Sequence, residues 1–386
     1  MLILSTLRIG IGTKEGLGLV LKSSHYFARG NTARGAHFLY KSAFGGLNKI
    51  FVLAGPQGTG KSTVMQSLAD SLLDQGLHVQ CFHSPLCPDE LDGIICTELK
   101  VGIVDGRVCK GISDSAAGEI VFIDFEEAFD DSLILPEHFI TIEDLKGELE
   151  RAYSKAYETF ETALRIHDEW EKFYIENMDF SKADQLAQDL IQELYAGHES
   201  DTSTASRHLF FGAATPRGAF DFIQSLTAQL ERRIFIKGRA GSGKSTLLKK
   251  LASAAEQKGI DVQVFHCGFD PNSLDMLIFP ELQTAIFDST APHEYFPDRD
   301  GDEILDMYTR TIAPGTDEAY AAEIAGIKAR YSAKMKEATS HLAELEAIDS
   351  QIKAYYVAAT DFSIVEKLHL QLQSELNALI GSIQPS

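Results

Sequence analysis

The chain has 386 residues and carries 56 acidic against 35 basic side chains, which gives a formal net charge of −21. This length allows two globular domains, and the acidic balance argues against nucleic acid as a partner because its phosphates would be repelled. Every apolar run is shorter than the roughly 20 residues that span a bilayer, so we expect no membrane insertion.

The first 22 residues mix short apolar stretches with Arg8, Lys14, Glu15 and Lys22, and they lack the pattern of a secretory signal. We expect residues 1–22 to be a flexible N-terminal extension, and we assign it no function. The five cysteines occur at irregular intervals and match neither a disulfide framework nor a zinc site. Both features favour a reducing, cytoplasmic location.

Two segments of the chain have the pattern G-x-x-x-x-G-K-[ST], each between a short apolar strand and a helical pattern. In such a loop the glycines let backbone N–H groups surround phosphate oxygens, the lysine reaches the β and γ phosphates, and the serine ligates Mg²⁺. The predicted nucleotide contacts are Gly55, Gly58, Gly60, Lys61, Ser62 and Thr63 in the first loop, and Gly238, Gly241, Gly243, Lys244, Ser245 and Thr246 in the second.

The loops belong to a longer internal repeat. A shift of 183 residues aligns 25–105 with 208–288 without a gap, and 29 of the 81 pairs are identical. Outside the loops, the repeat retains the element T-x-R-G and the dipeptide Phe-His. We therefore expect two similar domains in tandem.

In each half, further short strands follow the loop and its helix, at 79–83, 93–96 and 101–104 in the first half. A helix between parallel strands predicts a doubly wound, mainly parallel sheet with ligands at the carboxyl ends of the strands. Asp105 and Asp288 end the sequences VGIVD and TAIFD, and we predict that they hold Mg²⁺ together with Ser62 and Ser245. Asp92 and Asp275 are alternatives for this role, and a terminal aspartate can also simply begin a turn.

Several other equivalent positions of the two halves bear on catalysis. Gly106 and Ser289 follow the aspartates at the position where motor ATPases place a water-activating glutamate, which favours slow hydrolysis or transfer to an acceptor. The repeated Glu98 and Glu281 could supply a base or simply be solvated. The repeated residues His83 and His266 could contact the substrate, or they could bind the backbone. The repeated residues Arg34 and Arg217 could act as arginine fingers, in cis or between the halves, or they could anchor a loop.

The halves differ directly after the aspartate. Half two continues with Thr290, Pro292 and His293 beside the expected γ-phosphate position, whereas half one has Arg107, Cys109 and Lys110 in this stretch. We therefore expect half two to be the active one. Its candidate catalytic residues are Lys244, Asp288, His293, Glu281 and Arg217.

Each half ends in a predicted helical hairpin. Apolar residues recur every three or four positions. In the sequence MDFS either Asp179 or Ser181 can cap the second helix, and TDFS repeats this feature with Asp361 and Ser363. We expect domain 1 at 23–197 with a hairpin at about 143–195, a linker at 198–206, and domain 2 at 207–386 with a hairpin at about 317–381. The hairpins could pack on the sheets or on each other, form a moving lid, or recruit a protein partner.

Gly55 to Thr63 and Gly238 to Thr246 make the chain resemble the P-loop nucleoside triphosphatase superfamily. With the duplicated layout, the F-x-x-x-x-T-x-R-G element and the TAPH sequence of half two, it is similar to tandem-duplicated bacterial P-loop proteins described as ATPases or nucleotide kinases. The resemblance implies a fold that binds ATP and Mg²⁺. Half one departs from the TAPH pattern, which puts its activity in doubt.

Three functions follow from these patterns. The first is an ATP-dependent enzyme with two nucleotide sites, one at each loop, that hydrolyses ATP slowly or transfers its γ-phosphate to a small-molecule acceptor. The second is a nucleotide-gated switch with little turnover, which acts on a protein partner through its hairpins. The third, remodelling of nucleic acid, is opposed by the acidic charge.

Overall fold

A computed structural model describes residues 23–112, 118–198 and 204–383. The expected N-terminal extension, residues 1–22, lies outside the described residues, as does 199–203 of the expected linker. Within the described ranges, no helix has the length and apolar character needed to cross a membrane.

The described part of the first half forms eight strands, which are β1 (Ser23–Tyr26), β2 (Arg29–Thr32), β3 (Gly35–Phe38), β4 (Lys49–Ala54), β5 (Val79–His83), β6 (Leu91–Cys96), β7 (Val101–Asp105) and β8 (Glu119–Asp124). Its α-helices are α1 (Tyr40–Ala43), α2 (Lys61–Asp74), α3 (Pro136–Ile175) and α4 (Phe180–Leu194). Two short 3-10 turns, Phe125–Ala128 and Asp131–Leu133, lie between β8 and α3.

The second half repeats this order with strands β9 (Arg207–Leu209), β10 (Gly212–Thr215), β11 (Gly218–Asp221), β12 (Arg232–Lys237), β13 (Gln263–His266), β14 (Leu274–Phe279), β15 (Thr284–Asp288) and β16 (Asp302–Asp306). Its helices are α5 (Ile223–Thr227), α6 (Lys244–Gln257), α7 (Met307–Thr311), α8 (Thr316–Ala319), α9 (Ala321–Ala358) and α10 (Phe362–Ile383).

Each half builds a six-stranded, mainly parallel sheet, which confirms the expected mixed α/β class. The strand order is β1-β5-β6-β7-β4-β8 in the first sheet and β9-β13-β14-β15-β12-β16 in the second. Strand β6 runs antiparallel to both of its neighbours. The connections that flank it, 84–90 and 97–100, are too short for a parallel crossover, which needs about a dozen residues.

The two sheets share a core. Side chains from one face of each sheet, among them Val52, Phe82, Phe235 and Phe287, pack together with α1 and α5 in a single cluster between the halves. Helix α2 covers the outer face of the first sheet and α6 that of the second. Burial of this much apolar surface between the sheets stabilises the two halves as one unit.

The hairpins cross between the halves. Helix α10, at the end of the chain, buries Val365, Leu368 and Leu372 in the outer core of the first sheet. Helix α4, which follows the first half in sequence, buries Leu186 and Leu190 in the outer core of the second sheet. Each sheet is thus completed by a helix from the other half, whereas the repeat alone suggested that each hairpin belongs with its own half.

The long helices α3 and α9 pack against each other along a shared apolar seam. They run antiparallel, since Glu169 pairs with Arg330 at 2.5 Å near one end and the rings of His138 and Tyr355 meet near the other. The hairpins therefore pack both on the sheets and on each other.

Candidate functional site

The second Gly-rich loop, residues 238–246 and called loop 2 below, joins β12 to α6. Gly243 has φ of +87°, a left-handed conformation that strains any side-chain-bearing residue, and it turns the chain into the helix that begins at Lys244. The Lys244 ammonium donates a hydrogen bond to the Arg239 carbonyl oxygen at 2.9 Å and lies 3.5 Å from a carboxylate oxygen of Asp288. Asp288 is close because β15 pairs with β12 in parallel.

Loop 2 opens on a cavity of about 810 Å³. The cavity is lined by residues of both halves. The second half contributes loop 2, Lys250, Asp275, Asp288, Thr290 and His293. The first half contributes Glu171, Met178, Phe180, Ala183 and Asp184. The crossed hairpin therefore forms one wall of the second site.

Two acids face each other beside loop 2. Burial, followed by the nearby charge of Asp288, raises the pKa of Asp275 to about 6. Ser245, the neighbour of Lys244, accepts a hydrogen bond from the Leu274 N–H at 2.9 Å, which places its hydroxyl next to Asp275. Two carboxylates and a hydroxyl are ligands that Mg²⁺ prefers, and a cation would relieve the repulsion between the acids.

Helix α3 adds more acidic groups to this cavity. Ligand atoms of His167, Asp168 and Glu171 all lie within 4.8 Å of one another, a grouping able to hold a metal ion. Burial, and then the charge of Asp168, raises the pKa of Glu171. The cavity thus concentrates negative charge contributed by both halves.

The first Gly-rich loop, residues 55–63 and called loop 1 below, has the same backbone path, with Gly60 at φ of +81°. Its polar groups, however, are already paired. The Lys61 ammonium donates hydrogen bonds to the carbonyl oxygens of Gly55 and Pro56, and it lies 3.3 Å from a carboxylate oxygen of Asp105. The Asp105 carboxylate also forms an ion pair with the Arg107 guanidinium, at 2.8 Å. Burial lowers the pKa of Lys61 to about 8, against the opposing effect of Asp105.

The second acid of loop 1 is also neutralised within the protein. Asp92, the counterpart of Asp275, accepts from Arg29 at 2.6 Å and from the Tyr40 hydroxyl at 3.0 Å. At the positions of Arg29, Arg107 and Tyr40, half two has Gly212, Thr290 and Ile223. Built-in cations thus balance the acids at loop 1, and they have no counterpart at loop 2.

The crossed hairpins also cover the two loops to different extents. A Cβ added to Gly60 of loop 1 would lie 3.2 Å from a methyl group of Val365, whereas a Cβ on the equivalent Gly243 of loop 2 would lie 3.5 Å from the terminal methyl groups of Met178 and Met307. Lys61 and Asp105 expose 3% and 6% of their side chains, against 11% and 20% for Lys244 and Asp288. The lysine and aspartate beside loop 1 are therefore less exposed than their counterparts beside loop 2.

A second cavity, of about 780 Å³, lies beside loop 1. It is bordered by Gly55, Pro56, Arg107, Glu126 and Phe122, but Lys61 and Ser62 do not line it. This cavity therefore opens beside loop 1 without reaching the groups that would bind phosphate and metal.

His293 lines the loop 2 cavity, as expected for a residue that acts there. Its Nδ1 lies 2.6 Å from an Asp221 carboxylate oxygen, and the Tyr295 hydroxyl donates to the other oxygen at 2.8 Å. Burial would raise the pKa of Asp221, but the contacts with His293 and Tyr295 outweigh it and lower that pKa. The carboxylate holds the ring in a fixed orientation at the cavity wall.

Two of the candidate catalytic residues do not reach the cavity, and these candidates need correction. Glu281 is exposed in the turn between β14 and β15, at the opposite end of β15 from Asp288, roughly 13 Å away along the strand. Arg217 extends from the β10–β11 hairpin to Asp89 of half one, with which it forms an exposed ion pair. Its counterpart Arg34 pairs with Asp270, at the edge of the loop 2 cavity, at 2.6 Å.

The histidines at the strand ends are bound to backbone and to each other. His83 and His266 direct Nδ1 to the carbonyl oxygens of Pro88 and Pro271, at 2.7 and 2.6 Å. Their Nε2 atoms meet His25 and His208 at 2.9 and 2.8 Å. These contacts support the backbone-bound interpretation.

The residues of the site that the sequence did not predict lie on the crossed hairpin. The repeated D-F-S sequence was the available signal for them.

Comparisons of the chain with protein-family models, curated proteins and solved structures give no match. The fold and the site together define an α/β protein with two mainly parallel sheets and two Gly-rich loops, the second of which lines a cavity of about 810 Å³.

Proposed function

We propose that this chain is a P-loop protein that binds ATP with Mg²⁺ at loop 2, and that it hydrolyses the nucleotide slowly or transfers its γ-phosphate to a small acceptor. The observation that carries the proposal is the position of Lys244, 3.5 Å from Asp288 at the wall of the 810 Å³ cavity. A lysine that follows a left-handed glycine and begins a helix is suited to binding phosphate.

The pairing of the acids supports a requirement for Mg²⁺ at loop 2 in particular. Arg29 and Arg107 balance the two acids at loop 1, whereas at loop 2 Lys244 lies near Asp288, and His293 and Lys244 are the basic groups near Asp275. In this proposal Ser245 and Asp288 hold the metal, and Mg²⁺ neutralises charge on the β and γ phosphates. Loop 1 keeps its internal ion pairs and has a structural role.

Residues of the cavity suggest how the transfer step is assisted. His293, oriented by Asp221, is positioned to take a proton from water or from an acceptor hydroxyl at the cavity wall. Lys244 stabilises negative charge on the phosphate being transferred. Because a glutamate does not follow Asp288 in the sequence, we expect turnover well below that of motor ATPases.

Incubation with Mg²⁺ and ATP, alone and with pooled nucleosides and small metabolites, tests this function. Every phosphorylated product and the released phosphate are resolved by chromatography. Phosphate release without an acceptor indicates a hydrolase, and a new phosphorylated product indicates a kinase. Absence of both, in a protein that binds ATP in calorimetry, would exclude the catalytic part of the proposal.

One observation favours a nucleotide-gated switch as the second candidate. A Cβ on Gly241 of loop 2 would lie 2.6 Å from the Glu171 carbonyl oxygen, so α3, which packs along α9, lies directly against the loop that would bind the nucleotide. The far end of α9 covers loop 1 through Lys353 and Tyr356. A switch predicts tight binding of ATP with turnover near zero and protection of the hairpins from proteolysis when ATP is bound.

A further inference from the structure

We propose that Phe180, on the hairpin of half one, stacks on the base of a nucleotide held by loop 2, and that the ligand is a purine nucleoside triphosphate. This inference rests on the function proposed above. It assigns the base subsite of the second site to a residue of the first half.

The loop 2 cavity has two distinguishable ends. Lys244, Ser245 and Asp288 mark the end for the β and γ phosphates and their metal, because lysine and Mg²⁺ act on those groups. The base of the nucleotide lies beyond the α-phosphate, outside the first turn of α6. The cavity wall there belongs to α4 and includes Phe180 and Asp184, the latter paired with Lys250.

Phe180 does not contribute to the packing of its own helix. It is the first residue of α4, directly after the N-cap Asp179, and 59% of it is exposed. The core contacts of α4 are made further along the helix, by residues such as Leu186 and Leu190. An exposed aromatic face at the wall of a cavity is available for stacking against a flat ligand.

The same residue recurs in the other hairpin. Phe362 follows the capping Asp361, is 49% exposed, and approaches loop 1 to within 3.7 Å of the position that a Cβ on Gly60 would occupy. The residues that follow the two D-F-S sequences differ, Lys182 in one hairpin and Ile364 in the other. The D-F-S sequence thus places an exposed phenylalanine at the start of the second helix of each hairpin.

The two hairpins differ in the residue that follows the phenylalanine by one turn. Val365, one turn after Phe362, places a methyl group 3.2 Å from the Cβ position of Gly60, so the space between α10 and loop 1 is filled. Ala183 takes the corresponding place after Phe180 and lines the loop 2 cavity. Phe180 thus lines a cavity together with loop 2, whereas Phe362 lines neither of the two cavities described above and serves as the matched control.

Titration calorimetry of the full chain with Mg²⁺-ATP and with Mg²⁺-tripolyphosphate tests the inference, since tripolyphosphate lacks the base. We expect Phe180→Ala to weaken ATP binding about 10-fold or more and to leave tripolyphosphate binding unchanged. Phe180→Trp should retain ATP binding, and Phe362→Ala should affect neither ligand. The wild-type protein should bind ATP and GTP more tightly than CTP and UTP, because purines offer the larger stacking face.

The controls separate this inference from the function on which it rests. Unchanged ATP binding in Phe180→Ala, or an equal loss for ATP and tripolyphosphate, would overturn the stacking role. If the wild-type protein binds both ligands equally well, the base subsite is refuted while phosphate binding by loop 2 stands. If it binds neither ligand, both proposals fail.

Discussion

Phe27 and Phe210 exchange both of their backbone hydrogen bonds, each at 3.0 Å. The two residues are 183 positions apart, which is the offset of the sequence repeat, so they are the same position in both halves. A pair of equivalent residues that bond reciprocally lies on the axis relating the halves. The contacts between the hairpin turns and the opposite halves obey the same relation, with Phe129 bridging to Thr360 and Ile312 to Met178.

The two loop lysines should differ in their effect on activity. We expect Lys244→Ala to lower turnover about 100-fold or more, because it removes a charge that stabilises the transferred phosphate. Lys61→Ala should cost less than about 10-fold, since Lys61 is enclosed by protein partners. Steady-state phosphate release from both folded variants decides this, and the reverse order would identify loop 1 as the active loop.

The metal role of the acids can be separated from a structural role. Asp288→Asn should weaken binding of Mg²⁺-ATP much more than binding of metal-free ATP, with little change in thermal stability. Asp105→Asn should instead destabilise the protein by about 2 kcal/mol, because it leaves Lys61 buried without its carboxylate partner. Calorimetry and thermal unfolding of the two variants test this, and equal loss of ATP binding with and without metal in Asp288→Asn would argue for a turn-forming role.

The free energy of unfolding should fall at acidic pH, because buried histidines lie where the two halves meet. Burial, followed by the neighbouring histidine, lowers the pKa of His25 to about 4, and burial also lowers the pKa of His266 to about 4. The unfolded chain therefore takes up protons at a higher pH than the folded chain. Stability should be fully present above about pH 6.5 and be lost toward pH 4, on the order of 2 kcal/mol for each histidine.

Chemical denaturation at several pH values measures this loss. The double variant His25→Gln/His266→Gln should show a shallower dependence between pH 6.5 and 4 than the wild-type protein. His198→Gln, in the segment after α4, is the control and should follow the wild type. A double variant as acid-sensitive as the wild type would contradict the assignment.

Arg217 should be dispensable for turnover. Its partner is Asp89, both side chains are exposed, and such pairs contribute about 1 kcal/mol or less. Arg217→Ala should therefore change phosphate release less than about 2-fold. A loss comparable to that of Lys244→Ala would show that Arg217 leaves Asp89 and acts on the phosphate during the reaction.

The local parts of this structure could be predicted from sequence. Strands β4, β5 and β7 depend on neighbouring residues, and the structure has them where the patterns place them. Of the two candidate caps of α4, Asp179 is the one that the structure uses. Strand β1 and the β2–β3 hairpin were missed, because four-residue elements carry too little periodicity to be recognised.

The crossing of the hairpins could not be predicted in this way. An apolar stripe such as that of α4 shows which face of a helix is buried and gives no information about the sheet that buries it. The surroundings of loop 1 likewise depend on Arg29 and Val365, which are far from the loop in sequence. Arg107 stood out as a difference between the halves, but its bond to Asp105 became visible only in the fold.

The exchange of hairpins has an evolutionary consequence. A chain with only one repeat would have its outer core exposed. It could bury that surface in a domain-swapped dimer, in which two copies related by a two-fold axis exchange their hairpins. In such a homodimer both sites would be identical. Fusion of two copies into one polypeptide fixes the pairing and frees each copy to acquire its own substitutions, so that one site can lose its ligand while it still supports the other.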